Sequence, residues 1–317
     1  MFRLPRLQLH AIKYGMKLTF HTYDVFTSAK FAGNPLAIVE DADALSDAQM
    51  QTIAREFNLS ETIFVRAPQN PANTASVRIF FPTAEIPFAG HPTVGCAIHL
   101  AQKKYKPGCS FETEIRLEEV AGLVPVKVSR IGDVPRAQFT APITPFAVDM
   151  PLPSVEDVAR ALALEASDIG FDGHGLGLFQ GGPRFFYVPL ASPAALAKAK
   201  VIEPHWSRMV GAMGIGNAYL YRRGGAGADT SFRGRLYAPT DGIPEDPATG
   251  SATALLAGQL LKSEALADGT HRWRLEQGYE MGRPSDLWLE ADVAAAKLTA
   301  VRVAGQAVQI MSGVIEF

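Results

Sequence analysis

The chain is poor in cysteine. Cys96 and Cys109 are the only two in 317 residues, too few for a disulfide framework, and no C-x-x-C pair is present for zinc or dithiol chemistry. Neither charge is in excess: 30 Lys and Arg stand against 32 Asp and Glu, a net charge of −2, and no block of five basic residues occurs. A phosphate-backbone partner needs a basic face, so nucleic acid is not expected. No apolar stretch reaches the ~18 residues of a membrane helix. There is no P-loop and no G-x-S-x-G, and Gly173, Gly175 and Gly177, like Gly214 and Gly216, stop short of a dinucleotide loop. What is left is an ordinary globular composition, 47% hydrophobic and 20% charged. The length suits about two domains with a core that needs no disulfide or metal. The simplest setting for two thiols is a reducing cytoplasm.

Residues 1–15 are basic, with Arg3, Arg6 and Lys13 and no acid. Arg6, Gln8 and His10 interrupt any signal-peptide core and serine is absent, so an extension without function is expected, the fold opening at Met16. Short apolar runs bounded by Gly, Pro, Asn or Asp follow, among them 18–26, 36–39, 62–65, 77–81 and 185–188. These read as strands. Ser46 caps a helix to Glu56, and Thr93–Gln102 and Ser251–Leu261 read as helices, the second apolar nearly all round and therefore enclosed. The segment from Ala141 to Pro153 carries four prolines and reads as a linker, after which Ser154 and Asp157 cap a new helix. The expected division is an N-terminal half over 16–145 and a C-terminal half over 146–317, with the final strands free to return to the first half.

A repeat supports that division. Arg78-Ile79-Phe80-Phe81-Pro82-Thr83-Ala84-Glu85-Ile86-Pro87 is echoed 157 residues later by Arg235-Leu236-Tyr237-Ala238-Pro239-Thr240-Asp241-Gly242-Ile243-Pro244. Each copy turns into an apolar helix. Gly33-Asn34-Pro35 is echoed by Gly181-Gly182-Pro183. Two similar halves facing each other imply a site in the cleft between them.

Chemistry is sought where the repeat breaks. At the 157-residue offset Glu61 faces Ala218, Asp246 faces Ala89, and His91 faces Ala248 or Thr249 after a one-residue slip. Alone, Glu61 could be a solvated strand residue, His91 a core histidine and Asp246 a helix cap. Together they form an asymmetric set of titratable groups on a symmetric scaffold. Gly90-His91-Pro92-Thr93 and Thr249-Gly250-Ser251-Ala252 each open a helix, where free N–H groups and the helix dipole favour an anion. His91, Cys96 and His99 do not stack on one helix face, so no metal is expected. Cys96 has no base nearby and reads as a buried structural thiol.

These residues resemble the PhzF-like (phenazine biosynthesis) isomerase family. The matching stretches are 31–39 (FAGNPLAIV), 58–62 (NLSET), 88–95 (FAGHPTVG), 245–252 (EDPATGSA), 276–278 (EQG) and 282–285 (GRPS). The resemblance implies an α+β, diaminopimelate-epimerase-like fold of two pseudo-symmetric halves, each a barrel-like sheet around a central helix. It also implies a cofactor-independent isomerase, in a family where homodimers are usual, moving a proton on a small carboxylic acid. Glu61 would be the shuttling group, with His91 and Asp246 as further catalytic residues. Asn34, Ser60, Gly90, Gly250 and Ser251 would bind substrate. Related epimerases use two opposed cysteines, but the corresponding turns here carry Ala89 and Pro247. An epimerase or lyase with the same Glu base, and a small-acid-binding protein without chemistry, are the competing readings. The role of Arg283-Pro284-Ser285 stays open between ligand contact and structure.

Overall fold

Strand-forming segments in this chain alternate inward and outward. The run Ser285–Ala294 is inward at every second residue until its end, the period that places one face of a sheet on a core. The computed structural model describes residues 15–316, so nearly all of the expected N-terminal extension lies outside the described residues. In the first half the elements are β1 (Lys17–Val25), β2 (Asn34–Val39), α1 (Asp47–Phe57), β3 (Glu61–Arg66), β4 (Ala75–Phe80), β5 (Glu85–Ile86), α2 (Gly90–Lys104), β6 (Phe111–Glu119), β7 (Gly122–Arg130) and β8 (Arg136–Thr140). The second half has β9 (Phe146–Ala147), α3 (Val155–Leu162), β10 (Gly177–Gln180), β11 (Arg184–Pro189), α4 (Pro193–Lys198), α5 (His205–Ala212), β12 (Ala218–Arg223), β13 (Phe232–Ala238), β14 (Ile243–Asp246), α6 (Gly250–Ser263), β15 (Gly269–Gln277), β16 (Ser285–Ala294) and β17 (Lys297–Glu316). The proline-rich segment around residue 145 is not all linker: β9 within it pairs with β10.

The halves repeat in pairing as well as in sequence. β2 runs parallel to β3 and β11 parallel to β12. β4 is parallel to β6 as β13 is to β15. Side chains repeat too. Arg78 forks onto Glu85 across β4 and β5, and Arg235 forks onto Glu245 across β13 and β14. Glu118 accepts from the Gln69 and Asn70 amides and Asn73 Nδ2. Glu276, at the matching place in β15, accepts from the Ala226 and Gly227 amides and Thr230 Oγ1. Charged acceptors on backbone N–H groups are strong bonds, and each pins the loop that enters its half.

The repeat slips by three residues, not one. Ile79 pairs with Ile86 in the first half, while Leu236 pairs with Asp246 in the second, past a bulge. The longer turn at 239–242 supplies the extra residues. Asp246 therefore stands opposite Ile86, and His91, second in α2, opposite Ser251, second in α6. The helix caps match as Ala89 with Thr249, so Pro247 is not the counterpart of Ala89.

β17 joins the halves. Its first part pairs with β16, residues 302–306 pair with β8, and its last part pairs with β1. α2 and α6 are each wrapped by strands of their own half together with β17, all parts of one continuous sheet, which is why both are apolar nearly all round. Val94, Cys96, Ala97, Ile98 and Ala101 of α2, and Leu256, Ala257 and Leu260 of α6, are wholly buried in one core shared by both halves. Outside the sheets, α3, α4 and α5 cover the second half around Trp206. α1, held by a capping box of Ser46 and Gln49, covers the first. Among the described residues no helix is long and apolar enough to cross a membrane.

Candidate active site

The two central helices meet N-terminus to N-terminus. A Cβ on Gly90 would sit 3.0 Å from the Gly250 Cα, and one on Gly250 would sit 3.2 Å from the Gly90 Cα. Only glycine lets the two backbones approach this closely. Neither helix has a side-chain cap, so first-turn N–H groups of both point at one region.

A cleft of about 360 Å³ opens there. Its polar lining is Glu61, Asp246, Thr249, Ser251 and Asn217, and most of the rest is apolar, including Phe81, Ile86, Phe88, Phe185, Leu236 and Ile243. Glu61 is the first residue of β3 and Asp246 the last of β14, so each half delivers one carboxylate from a strand end. Glu61 Oε2 lies 3.2 Å from His91 Nδ1. Asp246 is held by Asn34 Nδ2 at 2.8 Å, Ser60 Oγ at 3.3 Å and the Thr249 hydroxyl.

The environment separates the two acids. Burial, reinforced by the charge of Asp246, pushes Glu61 well above the usual carboxylate range. Burial also raises Asp246, to about 6, against the pull of its three hydroxyl and amide donors. His91 is pushed down to about 3 by burial, which outweighs the opposing effect of the Pro35 backbone. Burial thus raises both acids and keeps His91 neutral, and only Asp246 has hydroxyl and amide donors that offset the rise. Two carboxylates whose environments push them into different roles are a mark of acid–base sites.

Expected residues fall into two groups. Glu61, Asp246 and Ser251 line the cleft. Asn34 stands behind it: it is 0% exposed, and its amide hydrogens go to Asp246 and to the Ala248 carbonyl at 2.9 Å. Ser60 likewise reaches Asp246, and His91 backs Glu61. Gly90 and Gly250 form the helix junction. Gln277 has no role in the sequence reading beyond its place in a matching stretch. It donates to the Asp246 carbonyl at 2.8 Å and to Thr249 Oγ1 at 3.1 Å, and accepts from the Thr249 amide. Its counterpart across the repeat is Glu119, a comparison that would have singled out both. Arg283 reaches the Gly33 and Ala32 carbonyls and Asp24. It therefore ties the second half to the loop before Asn34 and serves structure.

The sequence profile of the phenazine biosynthesis-like protein family matches residues 23–313. The chain belongs to that family. A trans-2,3-dihydro-3-hydroxyanthranilate isomerase of Pseudomonas chlororaphis is 35% identical over 92% of this chain and 97% of its own. An uncharacterized isomerase of Mesorhizobium japonicum is 38% identical over 92% of this chain and 96% of its own. The chain is thus an isomerase by class. Its fold is that of a Bacillus anthracis PhzF-family protein, with a TM-score of 0.85 at 22% identity over 96% of this chain and 100% of that one. The wider likeness extends to a hydroxyproline epimerase of Agrobacterium vitis, TM-score 0.63 at 12% identity over 96% of this chain and 92% of that one. The pseudo-symmetric α+β architecture is the one expected from sequence.

Proposed function

We propose that this isomerase moves a proton within a small carboxylic acid by general acid/base catalysis, without a cofactor, and that Glu61 carries the proton. The observation that carries the reading is the buried pair Glu61 and Asp246, facing one cleft from opposite halves, both raised by burial, with hydrogen-bond donors from Asn34, Ser60 and Thr249 on Asp246. A carboxylate with a raised pKa is a stronger base when ionised and a ready acid when protonated, and a shuttle needs both. Glu61 takes a proton from an acidic C–H and returns it at another carbon of the same molecule. The delocalised anion between these steps lies against the N–H groups of the helix junction and the Ser251 hydroxyl, donors fixed before the reaction begins. Asp246, anchored by Asn34, Ser60 and Thr249, orients the substrate's polar end. His91, kept neutral, accepts a hydrogen bond at Nδ1 from protonated Glu61 and so holds that carboxyl in place between turnovers.

An epimerase using two opposed thiols does not fit these residues, since the helix caps are Ala89 and Thr249. Cys96 lies two turns into α2, wholly buried, with its thiol pushed up by burial. The test is incubation in D₂O with trans-2,3-dihydro-3-hydroxyanthranilate, the compound in the Pseudomonas relatives' name, and with a panel of unsaturated and amino acids. Deuterium uptake by the wild type but not by Glu61→Gln supports the proposal, and the labelled carbon distinguishes isomerisation from epimerisation. A compound that binds stoichiometrically without any exchange would point to a binding protein.

A further inference from the structure

A second cluster of chemistry-bearing side chains lies away from the cleft. His99 is eight residues beyond His91 on α2, about 12 Å along the helix axis. His21 is on β1 and Glu40 directly follows β2. Both imidazoles aim Nε2 at the same carboxylate oxygen, Glu40 Oε1, His99 at 2.5 Å and His21 at 3.4 Å. One ligand atom from each residue lies within 4.8 Å of the other two. Lys103 Nζ holds the other oxygen, Glu40 Oε2, at 2.8 Å.

The far side of each ring decides what this arrangement can accept. The Tyr23 hydroxyl lies 3.1 Å from His99 Nδ1 and 3.2 Å from Gln102 Oε1. With its proton on Nδ1, His99 donates to the tyrosine oxygen, and Tyr23 still has Gln102 to donate to. Gln309 lies 3.1 Å from His21 Nδ1, and an amide can turn either its nitrogen or its oxygen to a ring. Both histidines can therefore present Nε2 lone pairs to a common point while keeping their bonds at Nδ1, and the His99 Nε2 bond to Glu40 Oε1 is the one exchanged for the ion. Outer partners that fix the tautomer of a ligating imidazole are the usual second half of a metal site.

We infer that His21, Glu40 and His99 bind a divalent transition-metal ion of the zinc class. Two imidazole nitrogens and one carboxylate oxygen suit such an ion and not magnesium or calcium, which prefer all-oxygen sites. The side chains of His21 and Glu40 are 18% and 12% exposed, so solvent reaches one edge of the site and water can complete the coordination. Lys103 supplies the positive charge beside Glu40 in the metal-free protein. Its side chain is 54% exposed and can swing away. The ion would tie β1, the end of β2 and the second half of α2 together.

Cobalt(II) and zinc(II) are the probes, with the full chain carrying Cys109→Ser so that the exposed thiol does not compete. One equivalent of cobalt should bind and give visible absorption bands of a low-coordinate site, which zinc then abolishes. His21→Asn and His99→Asn should remove this binding. If His99→Asn does not fold, His21→Asn, at the more exposed of the two histidines, decides. Lys103→Met should tighten binding at least about tenfold by removing a like charge beside the ion. No saturable uptake up to about 1 mM cobalt, or uptake that survives His21→Asn, overturns the inference and leaves the cluster as a structural ion-pair network.

Discussion

Arg78 with Glu85 and Arg235 with Glu245 make the same forked ion pair in the two halves, and Glu118 and Glu276 pin equivalent loops. The cleft-facing positions do not match. Glu61 has Asn217 as its counterpart and not Ala218, since Phe64 and Leu220 pair with the equivalent arginines Arg78 and Arg235; Asp246 has Ile86, His91 has Ser251, and under the helix starts Glu119 has Gln277. Scaffold residues repeat because both halves must solve one packing problem. Under the proposed function, cleft residues diverge because a substrate with two different ends meets each half once.

The largest expected effect comes from erasing the asymmetry at its centre. Glu61→Gln should lower deuterium exchange by about 10²–10⁴-fold with unfolding behaviour unchanged, and near-normal exchange would remove Glu61 from the mechanism. Next comes a test of how alike the two ion pairs are. Arg235 is buried and also donates to the Leu196 and Ala199 carbonyls, whereas Arg78 is partly exposed. Arg235→Met should cost about 3–5 kcal/mol in denaturant unfolding, as for a broken buried pair, against about 1 kcal/mol for Arg78→Met. Equal costs would show that the repeat holds in energy as well as in geometry.

Smaller effects sharpen the comparison. Gly250→Ala should destabilise by about 1–3 kcal/mol through overpacking at the helix junction, and Gly90→Ala by a similar amount, since each Cβ meets the other glycine's backbone. A neutral result at either position would mean that the junction can open.

Glu119 offers a pH test. The Thr93 hydroxyl lies 2.7 Å from its Oε1, and burial raises its pKa from 4.5 to about 8. Between those values only the folded chain holds the proton, so the contribution to stability falls as pH rises and is gone above about pH 8. Glu119→Gln copies the residue already at 277, and its stability relative to wild type should rise across that window. A flat difference would show that Glu119 has an ordinary pKa. Last, Asp246→Asn removes a charge that raises Glu61. Any residual activity should have its Glu61 limb moved to lower pH, and an upward move would contradict the coupling.

Much of this was legible in the sequence. Strands such as β2, β3 and β11 followed from short apolar runs between turn residues, and the enclosed helices α2 and α6 from their lack of a polar face. The repeat located both halves, and its breaks located Glu61, His91 and Asp246. The three-residue slip escaped because a bulge and a longer turn absorb it without changing the strand pattern. Asn34 and Gln277 were visible as residues but not as supports, since their bonds span 212 and 31 positions. His99 was weighed with His91 and Cys96 on its own helix, when its partners come from β1 and the end of β2.

By itself the sequence determined the strands and helices, the duplication and the residue types at the break points, because periodicity and turn chemistry are local, and the class of fold followed from the family resemblance. Only the tertiary structure decided that two helix starts meet at paired glycines, that Glu61 and Asp246 share one cleft, and that His21, Glu40 and His99 converge. Those outcomes depend on how the strands of the two halves close around two helices and on the burial that results: burial raises the proton affinity of both carboxylates, and only Asp246 has donors that oppose it.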